Sequence, residues 1–326
     1  MEKRNEIVDF YKGFLMWGVI LGHLITALKG GLDVGPIFIH TFIRTYDMPF
    51  FMILSGFFLS KSLVKYSIKT VLANRVTMIL FPILLWNIIS MNFSFTSFYF
   101  LWAVFVSSVI CIISYSIEHM INGKRWHVEL ILEILFIIAL HFINIPWNLF
   151  YLFPFFVIGR YMSNIEFKLP NFMIPFIIFV TAQCFWKGTY SPWVVGFDAW
   201  QEDMWLLVIY FYRIVLGGLG AYIIANVLLF IFKINWGGQK YLMKAGSQTL
   251  GIYILQSIVV EKYIGRIMKF IVSETGINYS DSIINLIGYV IAPILSFFIL
   301  VTLSKLITRI EGYKHIKFIF GFKLKL

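Results

Sequence analysis

The chain is far more apolar and far less charged than a soluble protein of its length. Of its 326 residues, 60% are hydrophobic and 13% are charged, with a mean hydropathy of +0.84, whereas soluble domains carry about 25% charged residues. This composition excludes a soluble fold and predicts an all-α protein surrounded by membrane lipids. The net charge of +11 does not indicate a nucleic-acid partner, because the basic residues lie between apolar segments, as in membrane-protein loops.

Ten apolar segments follow one another along the chain. A transmembrane helix needs about 20 mostly apolar residues, and the fifth to seventh segments are shorter than that. The predicted spans are Val8–Leu28, Pro36–Ser60, Val71–Met91, Phe98–Ile117, Val128–Phe142, Leu149–Met162, Phe172–Phe185, Met204–Phe232, Ala245–Ile264 and Ile283–Ile310. No soluble domain or linker separates them. We therefore expect a single membrane-embedded domain over residues 1–326, folded as a polytopic helix bundle of about ten spans.

Basic residues concentrate on one side of this predicted bundle. With ten spans, the Lys and Arg residues before the first span and around the loop after each even-numbered span fall on the same side, such as Arg160 and Lys168, which bracket the loop after the sixth. Basic loops face the cytoplasm, so both termini are predicted to be cytoplasmic in a multi-pass protein of the inner or plasma membrane. A topology shifted by two spans would pass the same test.

The first span carries three polar side chains on one helical face. Asp9, Lys12 and His23 are separated by close to whole numbers of turns, and His23 lies about 16 Å beyond Lys12 along the axis. Charged groups inside a membrane are costly, so each is a functional hypothesis. The arrangement suits an elongated ligand with an anionic part near the cytoplasm and a reacting end near mid-membrane. The alternative is an interfacial Asp9–Lys12 pair, with His23 hydrogen-bonded to a neighbouring helix.

A second polar cluster opens the second span. If this segment is helical, His40 and Arg44 are four residues apart on one face, and Arg44 can reach Asp47. Pro49 is expected to break the helical hydrogen bonds and tilt the segment. Such a cluster either lines a cavity or forms a salt bridge at the outer surface.

Further charged residues lie in later spans. Arg75, at the start of the third span, either holds a phosphate or snorkels to the interface. Arg213 lies well inside the eighth span and needs a partner. Glu129 and Glu133, four residues apart near His127, form either a polar face or an interfacial pair.

One outer loop combines acidic and aromatic residues. Asp198, Glu202 and Asp203 lie close to Trp193 and Trp200. Acids and aromatic rings together can bind sugars, but the same composition is typical of an ordinary membrane interface. No nucleotide-binding loop, nucleophile elbow or zinc-spaced His/Cys set is present in the sequence, so no metal is expected.

Several motifs together are similar to those of one family. They are Asp9, Lys12-Gly13 and Gly22-His23; then Met48-Pro49-Phe50-Phe51 and Ser55-Gly56-Phe57; then Arg75 with Pro82; and finally Ala245 to Tyr253. In this pattern the chain resembles the acyltransferase 3 family of membrane O-acyltransferases. It departs at Lys12, where many members have arginine, and at Gln256, where the last motif often ends in histidine.

The resemblance implies transfer of an acyl group, usually acetyl, from acyl-coenzyme A to a hydroxyl of a cell-surface polysaccharide or lipid-linked sugar. It implies His23 as base or acyl carrier, with Asp9 and Lys12 completing the catalytic set and Lys12 and Arg75 meeting the phosphates of the coenzyme. Acetyl-coenzyme A is then the donor substrate and a glycan or glycolipid is the acceptor. Substrate-binding side chains are expected at His40, Arg44, Asp47, Ser55, Arg75, Arg213 and Gln256. The alternatives are a transporter or flippase of a small solute or glycan lipid, and a glycan polymerase or ligase.

Overall fold

A computed structural model describes residues 6–30, 38–90, 98–120, 128, 130–135, 148–162, 172–185, 205–275, 283 and 286–311. Its helices are α1 (Glu6–Leu28), α2 (Phe38–Lys65), α3 (Ile68–Arg75), α4 (Phe81–Ser90), α5 (Tyr99–Met120), α6 (Asn148–Met162), α7 (Met173–Cys184), α8 (Trp205–Ile234), α9 (Gln239–Gly246), α10 (Thr249–Gln256), α11 (Gly265–Thr275) and α12 (Ala292–Glu311). Within these ranges there is no strand, and the prediction of an all-α fold is confirmed.

Six helical stretches of the described chain are long and apolar enough to cross a membrane. They are Glu6–Leu28, Phe38–Lys65, Ile68–Ile89, Tyr99–Met120, Val208–Ile234 and Ile287–Ile310. They correspond to six of the predicted spans and fit a multi-pass membrane protein. About half of the predicted fifth span lies outside the described residues, so the count of ten and the side of the termini stay predictions.

The chain divides into two compact units. The first contains residues 1–47 and 220–326, and the second contains residues 48–219. Helices α2 and α8 each contribute residues to both units. The expectation of a single membrane domain over the whole chain stays a prediction.

In the first unit, α1 packs against α9, α10, α11 and α12. Gly13 faces the Leu242 carbonyl of α9, and Gly246 faces the Asp9 carbonyl of α1, so closely that neither position has room for a Cβ. Small residues let helix backbones approach in this way inside membranes. On α12, Ser296 Oγ accepts a hydrogen bond of 2.9 Å from Trp17 Nε1. The two glycines therefore explain small residues in two of the recognised motifs.

The second unit uses the same kind of contact and contains a buried ion pair. Gly56 of α2 faces the Phe156 carbonyl of α6, and neither it nor Gly159 has room for a Cβ. Arg160 donates to Glu133, and both side chains are almost fully buried. Arg160, which was expected to border the loop after the sixth span, lies within α6, and a carboxylate inside the protein neutralises its charge.

Three π-helical turns interrupt the α-helical hydrogen bonding: Val76–Leu80, Ser257–Ile264 and Ile287–Ile291. Two of them end just before Pro82 and Pro293. A proline within a helix removes one backbone donor and clashes with the carbonyl four residues earlier, and a wider turn relieves both problems. At Pro49, which also lacks a backbone donor, the α-helix continues from Phe38 to Lys65, so this proline does not end α2.

The predicted ninth span begins differently from the expectation. Residues Ser247 and Gln248 form a turn that separates α9 from α10, and the helix then continues through the π turn and α11 to Thr275. The Gln248 side chain is buried and bonded to α12: its Nε2 donates to Thr308 Oγ1 at 3.0 Å. This tertiary contact fixes the turn, and it could not be predicted from the apolar run alone.

Candidate functional site

His23 of α1 forms a pair with a carboxylate of the first unit. Its Nδ1 lies 3.2 Å from Glu261 Oε1, and the His23 side chain is 19% exposed. Because an ionised carboxylate only accepts hydrogen bonds, this contact assigns the proton of a neutral imidazole to Nδ1. The lone pair is then on Nε2, which is the arrangement of a histidine base oriented by an acid.

The π turn at Ser257–Ile264 places Glu261 in this pair. Gln256 Nε2 donates to Glu261 Oε1 at 3.4 Å, although the two residues are five positions apart. In an α-helix such residues would point about 140° apart, whereas in a π-helix they lie about one turn apart. Ser257 also hydrogen-bonds to Glu261. The carboxylate is therefore held by its own helix while it meets His23.

Gln256 contributes a second polar atom to the same place. Its side chain is fully buried, and its Oε1 accepts no hydrogen bond from any residue that the structure describes. A buried amide oxygen without a partner is costly. It is thus an acceptor suited to a hydroxyl or amide group of a ligand.

His40 of α2 lies against α1, beside Gly22 and Thr26, which are one turn apart. Its Cδ2 is 3.7 Å from the position that a Gly22 Cβ would occupy, and its Nε2 is 3.3 Å from Thr26 Oγ1. The Thr26 hydroxyl also lies 3.1 Å from the Gly22 carbonyl, to which it can donate. The Gly22-His23 motif therefore places two imidazoles near each other.

Arg44 supplies positive charge to this cluster, and Lys29 adds to it near His40. It lies within electrostatic range of His23, His40 and Glu261. One turn further along α2, the Asp47 side chain is 5% exposed. A guanidinium close to a histidine and a carboxylate can stabilise negative charge that develops on a reacting oxygen.

Asp9 and Lys12 lie near the other end of α1. Since α1 is helical from Glu6 to Leu28, the predicted common face of Asp9, Lys12 and His23 is present. Both side chains are half-buried, on the stretch where Gly13 and Gly246 join α1 to α9. The structure keeps them about 16 Å or more from His23 along the axis.

The remaining predicted site residues belong to the second unit. Ser55 Oγ donates to the Phe51 carbonyl of its own helix at 2.8 Å. Arg75 is half-buried, near Cys111. Arg213 is 3% exposed, with its guanidinium carbon 5.3 Å from the centre of the Tyr151 ring.

Sequence reasoning missed Glu261 and Thr26. Glu261 lies within a predicted span, and a carboxylate there was a signal that could have identified it. With α-helical spacing, however, the Glu261 side chain would point away from Gln256. Other predicted candidates lie outside the described residues: His127, Glu129, Trp193, Asp198, Trp200, Glu202 and Asp203. Among the described residues, no group of His, Cys, Asp and Glu side chains has the spacing of a metal site.

Comparison with known families matches residues 5–96 to the acyltransferase 3 family, whose model is described as an acyltransferase domain. The match confirms the resemblance and covers α1 to α4, including His23, His40 and Arg44. No curated protein and no solved structure matches the chain. Together with the membrane-length helices, the family match indicates a membrane acyltransferase.

Proposed function

We propose that the chain is a membrane O-acyltransferase that moves an acetyl or other short acyl group from acyl-coenzyme A to a hydroxyl of a surface polysaccharide or lipid-linked sugar. The observation that carries the proposal is the contact of 3.2 Å between His23 Nδ1 and Glu261 Oε1. This contact leaves Nε2 as the basic nitrogen. The family match over residues 5–96 supports the reaction class.

In the proposed reaction, His23 Nε2 removes the proton of the acceptor hydroxyl as its oxygen attacks the thioester carbonyl carbon. The tetrahedral intermediate collapses, the carbon–sulfur bond breaks, and the imidazolium returns the proton to the leaving thiolate. Glu261 accepts from Nδ1–H throughout and stabilises the imidazolium. Arg44, which lies within electrostatic range of His23 and Glu261, is the proposed source of positive charge for the negative oxygen of the intermediate.

The same nitrogen can act in a second way. If His23 Nε2 attacks the thioester carbonyl carbon itself, the carbon–sulfur bond breaks, coenzyme A leaves as the thiolate, and the acyl group stays on Nε2. The acceptor hydroxyl then attacks the acyl carbon, the bond to Nε2 breaks, and the hydroxyl proton is released to the thiolate. Both routes need a neutral His23 whose proton is on Nδ1. They differ in whether label from the donor stays on the protein when no acceptor is present.

The predicted topology assigns the two substrates to opposite ends of α1. Lys12 is at the predicted cytoplasmic end, where acyl-coenzyme A is available. His23 lies about 16 Å deeper along α1 than Lys12, near the predicted middle of the membrane, where a sugar hydroxyl entering from the outer side can meet the thioester. We therefore propose that the thioester reaches His23 from within the first unit and that the acceptor approaches from outside.

The test uses the full-length protein in nanodiscs with radiolabelled acetyl-coenzyme A and a membrane glycolipid extract. We expect wild type to release free thiol and to label glycolipid in equal amounts, and His23→Ala to do neither. His119→Ala is the matched control, because His119 is an exposed histidine of α5 in the second unit. Its activity should equal that of wild type.

Each other outcome has a defined meaning. Label that stays on wild type without acceptor, and disappears when acceptor is added, supports the acyl-carrier route. Activity that survives in His23→Ala removes His23 from the mechanism. An absence of coenzyme A binding in wild type contradicts the acyltransferase proposal and favours a transporter.

A further inference from the structure

A cleft with a concentration of positive charge lies in the first unit, between α9 and the second half of α12. Its volume is about 390 Å³. Its lining residues are Tyr241, Lys244, Val301, Ser304, Lys305, Thr308 and Arg309. Three of these seven carry a positive charge and none carries a negative one, so the cleft is suited to an anion.

The cations converge because of helical spacing. Lys305 and Arg309 are four residues apart and share one face of α12, and Lys244 faces them from α9. Lys233, at the end of α8, is also exposed and basic but lines no part of this cleft. The positive-inside tendency explains basic residues at helix ends, but it does not explain three of them around one concavity.

A buried hydrogen-bond network fixes the shape of the cleft. Ser304 Oγ donates to Gln248 Oε1 at 2.7 Å, and Gln248 Nε2 donates to Thr308 Oγ1 at 3.0 Å. Gln248 and Ser304 are 1% and 5% exposed. The network ties α12 to the turn between α9 and α10. The walls that carry the cations are therefore formed before any ligand binds, which lowers the entropic cost of binding.

Contacts within the first unit show how far the cleft lies from the reactive histidine along the helix axes. Gly246 of α9 meets Asp9 and Gly13 at one end of α1, while Ser296 of α12 meets Trp17 near its middle. Helix α12 thus runs antiparallel to α1, and the cleft is level with the Lys12 end. At 1.5 Å per residue, it lies about 20 Å from His23 along the helix axes.

We propose that this cleft binds the phosphate groups of the nucleotide part of the acyl donor, coenzyme A, with Lys244, Lys305 and Arg309 as the phosphate ligands. This inference rests on the proposed function. Charge-assisted hydrogen bonds from lysine and arginine are the usual means of holding phosphate. The half-exposed ring of Tyr241 adds an aromatic wall on which a base can stack.

The separation of the cleft from His23 fits this donor. Coenzyme A carries its phosphates at one end of a long pantetheine arm and the thioester at the other. A ligand anchored in the cleft can therefore extend along α1 to the reactive histidine. An anionic lipid headgroup also presents a phosphate to these cations. A headgroup, however, would use neither the aromatic wall nor the distance to His23.

The experiment titrates coenzyme A into the full-length protein in nanodiscs of neutral lipid, without acceptor. We expect the double variant Lys305→Gln/Arg309→Gln to raise the Kd at least about tenfold, because each lost charge-assisted bond weakens binding by about that factor. The matched control is Lys233→Gln, with an unchanged Kd. An unchanged melting temperature of the double variant shows that it is folded. The single variant Arg309→Lys, which keeps the charge, should bind coenzyme A more tightly than the double variant.

An acyl donor that lacks phosphate distinguishes a loss of phosphate binding from a general loss of activity in the double variant. With acetyl-coenzyme A, the double variant should raise KM at least about tenfold and leave kcat unchanged. With S-acetyl-pantetheine, which has no phosphate, variant and wild type should have the same KM. An equal loss with both donors, or an unchanged Kd for coenzyme A, would overturn the assignment.

The failures of the two proposals are distinguishable. If wild type neither binds coenzyme A nor transfers acetyl, the proposed function itself fails. If wild type does both and the double variant matches it, only the cleft assignment fails. If anionic lipid raises the melting temperature of wild type but not of the double variant, while the Kd for coenzyme A is the same in both, the cleft holds a lipid headgroup instead.

Discussion

Glu261→Gln keeps the size of the side chain that meets His23 and removes its negative charge. In the native pair, Glu261 Oε1 accepts from His23 Nδ1 at 3.2 Å. The amide of a glutamine can offer its NH₂ group as well as its oxygen. It therefore no longer enforces the tautomer with the proton on Nδ1, and it gives no charge stabilisation to the imidazolium.

The expected loss follows from the strength of this one contact. A hydrogen bond to a charged group contributes about 1.5–3 kcal/mol net, which corresponds to a factor of about 10 to 150 in rate. The Glu261 side chain is 42% exposed, and exposure weakens such a pair. We therefore expect kcat to fall about tenfold to thirtyfold, with little change in KM for acetyl-coenzyme A.

The assay is steady-state transfer of labelled acetyl to glycolipid by full-length protein in nanodiscs. Glu274→Gln, an exposed carboxylate of α11, is the matched control and should leave kcat unchanged. In a double-mutant cycle, His23→Gln/Glu261→Gln should be no slower than His23→Gln alone, because Glu261 acts through the imidazole. Wild-type kcat in Glu261→Gln, or fully additive losses in the cycle, would refute this reasoning.

Three further predictions concern packing and the buried polar groups. Gly13→Ala should lower the melting temperature, since overpacking costs about 1–3 kcal/mol, while Gly237→Ala, where nothing lies within 4 Å of a new Cβ, should not; equal melting temperatures would contradict the close helix contact. Glu133→Ala should destabilise by about 3–5 kcal/mol, because it leaves the buried Arg160 charge without its carboxylate; chemical denaturation measures this, and a loss below about 1 kcal/mol would contradict a buried pair. Gln256→Leu should lower kcat about threefold to tenfold, because it removes the hydrogen bond to the Glu261 carboxylate. Gln256→His should retain more activity than Gln256→Leu; the opposite order of transfer rates would argue against this role.

Regular helical spacing accounts for the part of the site that the sequence predicted. Asp9, Lys12 and His23 lie on one continuous α-helix, so their common face followed from counting turns. His40 and Arg44 likewise lie on one helix, as expected. In such segments, local geometry alone decides where side chains point.

The parts that were not predicted depend on tertiary contacts or on irregular turns. Glu261 meets Gln256 only because the segment is π-helical, and the sequence gives no rule for where a helix widens without a proline. The turn at Ser247–Gln248 depends on hydrogen bonds to a helix about sixty residues later. The ion pair of Arg160 was not predicted, because its carboxylate partner lies 27 positions away in the chain.

The most direct test of the account compares the two neighbouring histidines, His23 and His40, in the same transfer assay. His23→Gln should lower kcat about 10²- to 10⁴-fold, the contribution of a general base. His40→Gln should stay within about tenfold of wild type, because its Nε2 is engaged with the Thr26 hydroxyl at 3.3 Å and His40 is not assigned the role of base. A larger loss in His40→Gln than in His23→Gln, or full activity in both, would contradict the assignment of His23 as the reacting group.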